Sequence, residues 1–176
     1  MRIFVTGTGR CGTVTFSKAA AHADNYTVGH ESHAGKIGNW EYPDNHIEVS
    51  SQLMIAIPIL QSKYPDAKWI HLVRIDREAC VKSLARMDEV MRAFSFVFFQ
   101  HPLPSDLIEV AESYYDCTVR LIQQQFTLPR FDTRFRRFAL ENAKNRWLDL
   151  WNWMACRGDF NASRAEWDVR YNASEP

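Results

Sequence analysis

Residues 3–16, IFVTGTGRCGTVTF, put a short apolar strand, a turn with three glycines and the start of a helix in direct succession. A strand that feeds a helix through so short a turn belongs to a β-α-β unit, because the helix must pack back on the strand it leaves, and such units build parallel sheets. The turn constrains chemistry as well. Gly7, Gly9 and Gly12 satisfy G-x-G-x-x-G, the spacing of dinucleotide-binding turns, and Gly7 to Gly12 equally satisfy the first six positions of a Walker A loop. Either way, a helix N-terminus with uncompensated N–H groups faces a phosphate. Position 13, however, is Thr where a Walker A loop needs Lys, and the loop's cation is Arg10 in mid-turn.

Further along the chain the alternation continues. A strand at 2–6 leads to a helix over 12–23 with Phe16, Ala19 and Ala20 on one face, and TVGHE at 27–31 reads as a second strand. HIEVS at 46–50 is a weaker strand, followed by an apolar helix expected to kink or start near Pro58 and to end at Tyr64-Pro65-Asp66. KWIHLVR at 68–74 is the clearest buried strand, and residues 77–92 read as one helix carrying Cys80, Leu84, Met87 and Met91. Pro102 and Pro104 then close an aromatic stretch, Ser105 can cap a helix over 106–126, RFRRFALE at 134–141 reads as a last strand, and WLDLWNWMA as a tryptophan-rich helix. From Arg157 the chain is polar and is expected to be an irregular tail.

At 176 residues this is one domain with a real core. A hydrophobic fraction of 46% excludes disorder, and 21 basic against 21 acidic residues give no charge excess that would recruit nucleic acid or an anionic membrane. LMIAIPIL and FSFVFF fall short of the roughly 18 apolar residues of a membrane span. The opening residues lack the charged segment, apolar run and cleavage site of a secretory leader, so a cytoplasmic protein is expected, and three N-x-S/T sequons carry no weight in that setting. Cys11, Cys80, Cys117 and Cys156 lack C-x-x-C spacing, and His30-Glu31-Ser32-His33 is not H-E-x-x-H, so no metal site is signalled. His71 reads as a hydrogen-bonded core residue, His22, His46 and His101 as residues without a catalytic partner, and Trp147, Trp151 and Trp153 as packing.

Three chemistries compete for the loop. A Walker-type NTPase lacks its Lys, and Arg74 ends the strand where a magnesium-binding Asp is wanted. A nicotinamide enzyme finds an acid in Glu31, 19 residues after Gly12; Tyr64 and Lys68 have the Y-x-x-x-K spacing but flank a Pro-Asp turn. The third reading joins the loop to the strand at 68–74. GRCGTVTF resembles the 5′-phosphosulfate loop of sulfotransferases: a basic residue, a small residue, Gly and then Ser/Thr, here Arg10, Cys11, Gly12, Thr13 and Thr15. WIHLVRIDREACVKSLAR is similar to that family's 3′-phosphate segment, a strand ending in Arg followed by a helix bearing Ser, which places Arg74 and Ser83 in those roles. VGHE at 28–31 and RRFALENA at 136–143 resemble further elements of the family.

The resemblance, with the alternation of elements, implies an α/β fold, a three-layer α/β/α P-loop-type domain with a mostly parallel sheet of about five strands. It also implies 3′-phosphoadenosine 5′-phosphosulfate (PAPS) as donor, 3′,5′-ADP as product, a small-molecule or glycan acceptor and no metal. In such a site the donor-binding set is Gly9, Arg10, Cys11, Gly12, Thr13, Val14 and Thr15, acting through backbone N–H groups and the two Thr hydroxyls, with Arg74 and Ser83 on the 3′-phosphate. Arg10 would stabilise the leaving oxygen, and Glu31 would be the acceptor base, with His33 and His30 as reserves. Otherwise Glu31 pairs with a cation such as Lys36, and Arg74 with Asp76 or Glu78. A Rossmann-type NAD(P)-dependent oxidoreductase and a degenerate P-loop protein that binds a nucleotide without turnover are the rival readings.

Overall fold

A computed structural model describes residues 1–34, 38, 40–99, 107–127 and 133–171, with the side chains of 97–99 outside that description. Five strands, β1 (Arg2–Thr6), β2 (Thr27–His30), β3 (His46–Val49), β4 (Lys68–Val73) and β5 (Phe135–Ala139), form one sheet in the order β2-β3-β1-β4-β5. Every pairing is parallel. Apolar runs such as Ile3-Phe4-Val5 follow from that geometry, because a central parallel strand is covered on both faces. Ile3, Val5, Ile47, Ile70 and Leu72 meet α1 (Thr13–Ala20) and α6 (Ala143–Met154) in one core with Phe16, Ala19 and Trp147. On the other face, Phe4 and Trp69 pack with Leu53, Ile57 and Leu60 of α2 (Leu53–Lys63) and Ile122 of α5 (Leu107–Gln125). The result is three layers, α/β/α. No helix among the described residues is long and apolar enough to cross a membrane.

Three expectations change. Of the two roles expected of Pro58, starting the apolar helix or kinking it, the first is excluded, because Pro58 lies inside α2. Pro58 is exposed, while Leu53, Ala56, Ile57 and Leu60 keep the opposite face of the helix buried. The helix expected over 77–92 is two, α3 (Arg77–Ala85) and α4 (Asp88–Phe99). The N–H of Met87 turns back to the Leu84 carbonyl at 2.8 Å, and the break lets Cys80, Val81 and Leu84 of α3 and Met91 of α4 both reach Val110, Ala111 and Tyr114 of α5. Pro102, Pro104, the Ser105 cap and His101 lie outside the described residues.

The third correction concerns the tail. Phe160–Ala165 is a helix, α7, capped by Asp159, whose side chain accepts from the Ala162 N–H at 3.0 Å, and a 3-10 turn follows at Glu166–Asp168. Ser163 is fully buried; its hydroxyl donates to the Ala19 carbonyl at 2.6 Å and accepts from the Trp147 indole N–H at 2.8 Å. Trp167 packs its ring against Phe16, Phe138 and Trp147. A polar composition concealed these few anchoring side chains.

Two histidines show how differently a buried imidazole can be accommodated. His46 bonds Thr27 Oγ1 through Nδ1 at 2.8 Å and the fully buried Glu48 through Nε2 at 3.1 Å, and the Ser32 N–H also donates to Glu48 at 2.9 Å. Burial pushes the Glu48 carboxyl up, but its hydrogen bonds to His46 and Ser32 outweigh it and hold the group below its ordinary value. His71, in the middle of the sheet, is fully buried and has no hydrogen-bond partner on either ring nitrogen among the described residues, contrary to the expectation of a hydrogen-bonded core residue. Burial, with the Arg137 charge adding to it, drives its pKa from 6.5 down to about 4. His71 is therefore neutral in the fold while the unfolded chain takes up a proton below pH 6.5. Stability should fall as the pH drops from 6.5 to about 4, by about 3 kcal/mol from this residue, then level off as the folded form protonates. Urea unfolding of wild type and His71→Leu across pH 4–7 checks it: the variant should lose this part of the pH dependence.

Candidate functional site

The chain leaves β1 through α1 toward β2 at one edge, and β3 crosses through α2 to β4 on the other side of β1. The loop after β1 thus sits where the connections diverge, at the C-terminal ends of the strands, the place where open α/β sheets form a crevice. Gly7 lies so close to β4 that an added Cβ would stand 2.3 Å from the Leu72 carbonyl oxygen. Gly9, Arg10 and Gly12 all have positive φ, +74°, +52° and +94°. Arg10 holds the left-handed conformation at a cost no glycine would bear. Gly12 occupies the N-cap of α1 without a side chain to cap it, so Thr13, Val14 and Thr15 present an uncapped first turn to the crevice.

That crevice is a cleft of about 900 Å³. Gly9, Arg10, Gly12, Thr13, Val14 and Thr15 line it from the loop, and Arg74 and Ser83 from the end of β4 and from α3. The Arg10 Nε–H donates to Ser83 Oγ at 2.8 Å, which joins the two segments singled out in the sequence. Arg74 forms no ion pair among the described residues: Asp76 is engaged as the N-cap of α3, accepting from the Ala79 N–H at 2.9 Å, and Glu78 pairs with Lys82 at 2.6 Å. Tyr115 fixes the backbone there by donating its hydroxyl to the Arg74 carbonyl at 3.1 Å. Cys11 does not line the cleft. Its thiol is wholly buried beneath the loop, and burial, together with neighbouring Cys80, pushes its pKa up to about 12, which leaves an inert core thiol.

Alternation would turn Glu31 and His33 to the same side only if the second strand ran on past Glu31, and it does not. β2 ends at His30, and Glu31 adopts φ +51° and opens a turn closed by the Ala34 N–H on the Glu31 carbonyl at 3.0 Å. The strand alternation that would have aligned the two residues stops there. His33 turns away, with Nε2 on the Glu41 carbonyl at 3.0 Å and its ring edge on Tyr42, whereas His30 and Glu31 line the cleft. Glu31 is gripped by the corner between β3 and α2: it accepts from Ser50 Oγ at 2.5 Å, and from the Ser51 N–H and Oγ at 2.9 and 3.0 Å. Lys36 lies outside the described residues.

Sequence reasoning missed four of the six cations in the basic wall. Among the described residues, Lys82 of α3, Arg86 at its C-cap, Lys144 of α6 and Arg170 beyond the 3-10 turn join Arg10 and Arg74 in lining the cleft, against the two carboxylates Glu31 and Glu141. Such an excess in a chain with no net charge suits a polyanion. Lys82 and Arg86 stand one helical turn apart, a spacing visible in the sequence, but nothing local pointed to Lys144 or Arg170. They arrive because Trp167 docks the C-terminal segment beside α1, and Lys144 bonds both Asp168 oxygens at 2.7 and 2.8 Å. Among the described residues no cluster of His, Cys, Asp and Glu could hold a metal ion. No model of a protein family matches the chain, and no curated protein matches it significantly.

Proposed function

We propose that this protein is a sulfotransferase, which moves a sulfonate group from PAPS to a hydroxyl or amine of a small-molecule or glycan acceptor by in-line displacement. The observation that carries this reading is the meeting of the glycine loop and the Arg74–Ser83 segment in one cationic cleft, with Arg10 bonded to Ser83 at 2.8 Å. A donor with phosphates at both the 5′ and 3′ positions needs two such places on one ligand. In this scheme the α1 N–H groups and the Thr13 and Thr15 hydroxyls surround the 5′-phosphate, and Arg74 forks onto the 3′-phosphate with Ser83 beside it. Arg10 neutralises charge that builds on the oxygen bridging sulfur and phosphorus.

The strand order counts against the nicotinamide reading. A dinucleotide fold of order 3-2-1-4 sets β2 beside β1, so that an acid ending β2 reaches the ribose bound at the β1 turn. Here β3 lies between β1 and β2. Thr13 in place of Lys counts against a Walker-type NTPase in the same way.

Titration with 3′,5′-ADP, NADH and ATP tests the proposal. 3′,5′-ADP should bind and raise the melting temperature; binding of NADH without stabilisation by 3′,5′-ADP would overturn it. Arg74→Ala should weaken 3′,5′-ADP by about 10- to 100-fold, the worth of a hydrogen bond to a charged group, and leave 5′-AMP nearly unaffected. Equal losses for the two nucleotides would remove Arg74 from the 3′-phosphate.

A further inference from the structure

We infer that Ser51 relays the acceptor's proton to Glu31, so that Glu31 acts through this hydroxyl and not by direct contact with the acceptor. The inference rests on the sulfonate-transfer reading above. Both carboxylate oxygens of Glu31 already accept hydrogen bonds from the β3–α2 corner, Oε2 from Ser50 Oγ and Oε1 from the Ser51 N–H and Oγ. The two serines differ in what their oxygens have left to offer. Ser50 is 5% exposed, and its oxygen also accepts from the Gln52 N–H at 3.2 Å. Ser51 lines the cleft, and among the described residues nothing donates to its oxygen. Its Cβ stands 4.0 Å from where a Cβ on Gly9 would lie, which sets it against the loop proposed to hold the donor. A hydroxyl that donates to a carboxylate on one side and keeps lone pairs for the cleft on the other has the arrangement of a proton relay.

The step balances as follows. The acceptor oxygen bonds to sulfur, and the bond from sulfur to the 5′-phosphate oxygen breaks with its electron pair on that oxygen, beside Arg10. The acceptor's proton passes to Ser51 Oγ as the Ser51 proton passes to Glu31 Oε1, and Glu31 returns it to solvent after product leaves. The left-handed backbone of Glu31, held by its N–H on the Val49 carbonyl at 3.0 Å, is what turns the carboxylate toward the corner.

The experiment follows release of 3′,5′-ADP from PAPS with a phenol, a sugar, an amine and water each offered as acceptor, alongside 3′,5′-ADP affinity and melting temperature, in wild type, Ser51→Ala, Ser51→Thr, Glu31→Gln and the Ser51→Ala/Glu31→Gln double variant. Ser51→Ala should lower kcat by about 10²-fold at unchanged 3′,5′-ADP affinity, and Ser51→Thr, which keeps a hydroxyl, should restore most of it. Glu31→Gln should lose as much, and the double variant no more than either, because the two groups act as one unit. A wild-type rate in Ser51→Ala, or additive losses in the double variant, would overturn the relay and leave the donor reading standing. A wild-type protein that binds 3′,5′-ADP yet releases none from PAPS would overturn transfer and relay together, and one that does not bind 3′,5′-ADP would overturn the donor reading itself.

Discussion

Arg10→Ala should lower kcat by about 10²-fold or more while barely moving the melting temperature, the loss expected when one preorganised contact to a developing charge is removed. The loop does not depend on the Arg10 side chain for its shape. Gly7 wedges against the Leu72 carbonyl, Cys11 fills the core beneath, and Gly9 and Gly12 hold positive φ without strain. Alanine inherits the same left-handed backbone as Arg10, so the substitution adds no new strain, and the cost falls on the charge and on the hydrogen bond to Ser83. Arg10→Lys separates these two parts, since Lys keeps the charge but not the planar fork that reaches Ser83 while facing the cleft. The measurement is rate per folded molecule alongside a thermal melt. A large drop in melting temperature with a normal rate would make Arg10 a structural residue.

Trp147→Ala should destabilise the fold by about 4 kcal/mol, a large part of the total stability of a domain this size. Trp147 is fully buried, with Phe16, Phe138, Trp151 and Trp167 around its ring. Truncation leaves a cavity that four other aromatic rings cannot close by small shifts, and it strips Ser163 Oγ of its indole donor. Because the same ring ties α6 to α7 and to the 3-10 turn, the loss should also loosen Arg170 and Tyr171 on the cleft wall. Urea unfolding gives the magnitude, and limited proteolysis should cut the C-terminal segment first. Trp147→Phe should keep about half of the stability that Trp147→Ala loses, since a phenyl ring fills part of the space without the indole N–H. If Trp147→Ala melted like the wild type, the C-terminal segment would not be part of the core.

The sequence by itself determined the five strands and the glycine turn that follows the first of them. Gly9 and Gly12 have a local reason to be glycine in their positive φ, and apolar runs such as Ile3–Val5 and Trp69–Val73 mark buried parallel strands whatever their neighbours are. The alternation of strands and helices made all five strands, the α/β class and the glycine turn legible in the sequence. Where a residue's surroundings come from distant parts of the chain, the sequence was silent or misleading. Periodicity carries no information on strand order, so it could not say that β3 would separate β2 from β1. Alternation aligns Glu31 with His33 only if the strand continues, and it cannot see that β2 ends at His30 or that Ser50 and Ser51, 19 and 20 residues away, hold the Glu31 carboxylate. The polar tail read as irregular because composition averages over the two residues, Ser163 and Trp167, whose burial against α1 and α6 holds it in place. Arg10 and Ser83, 73 residues apart, share a hydrogen bond only because β1 and β4 are neighbours in the sheet, a pairing decided by the packing of both its faces and by no local signal.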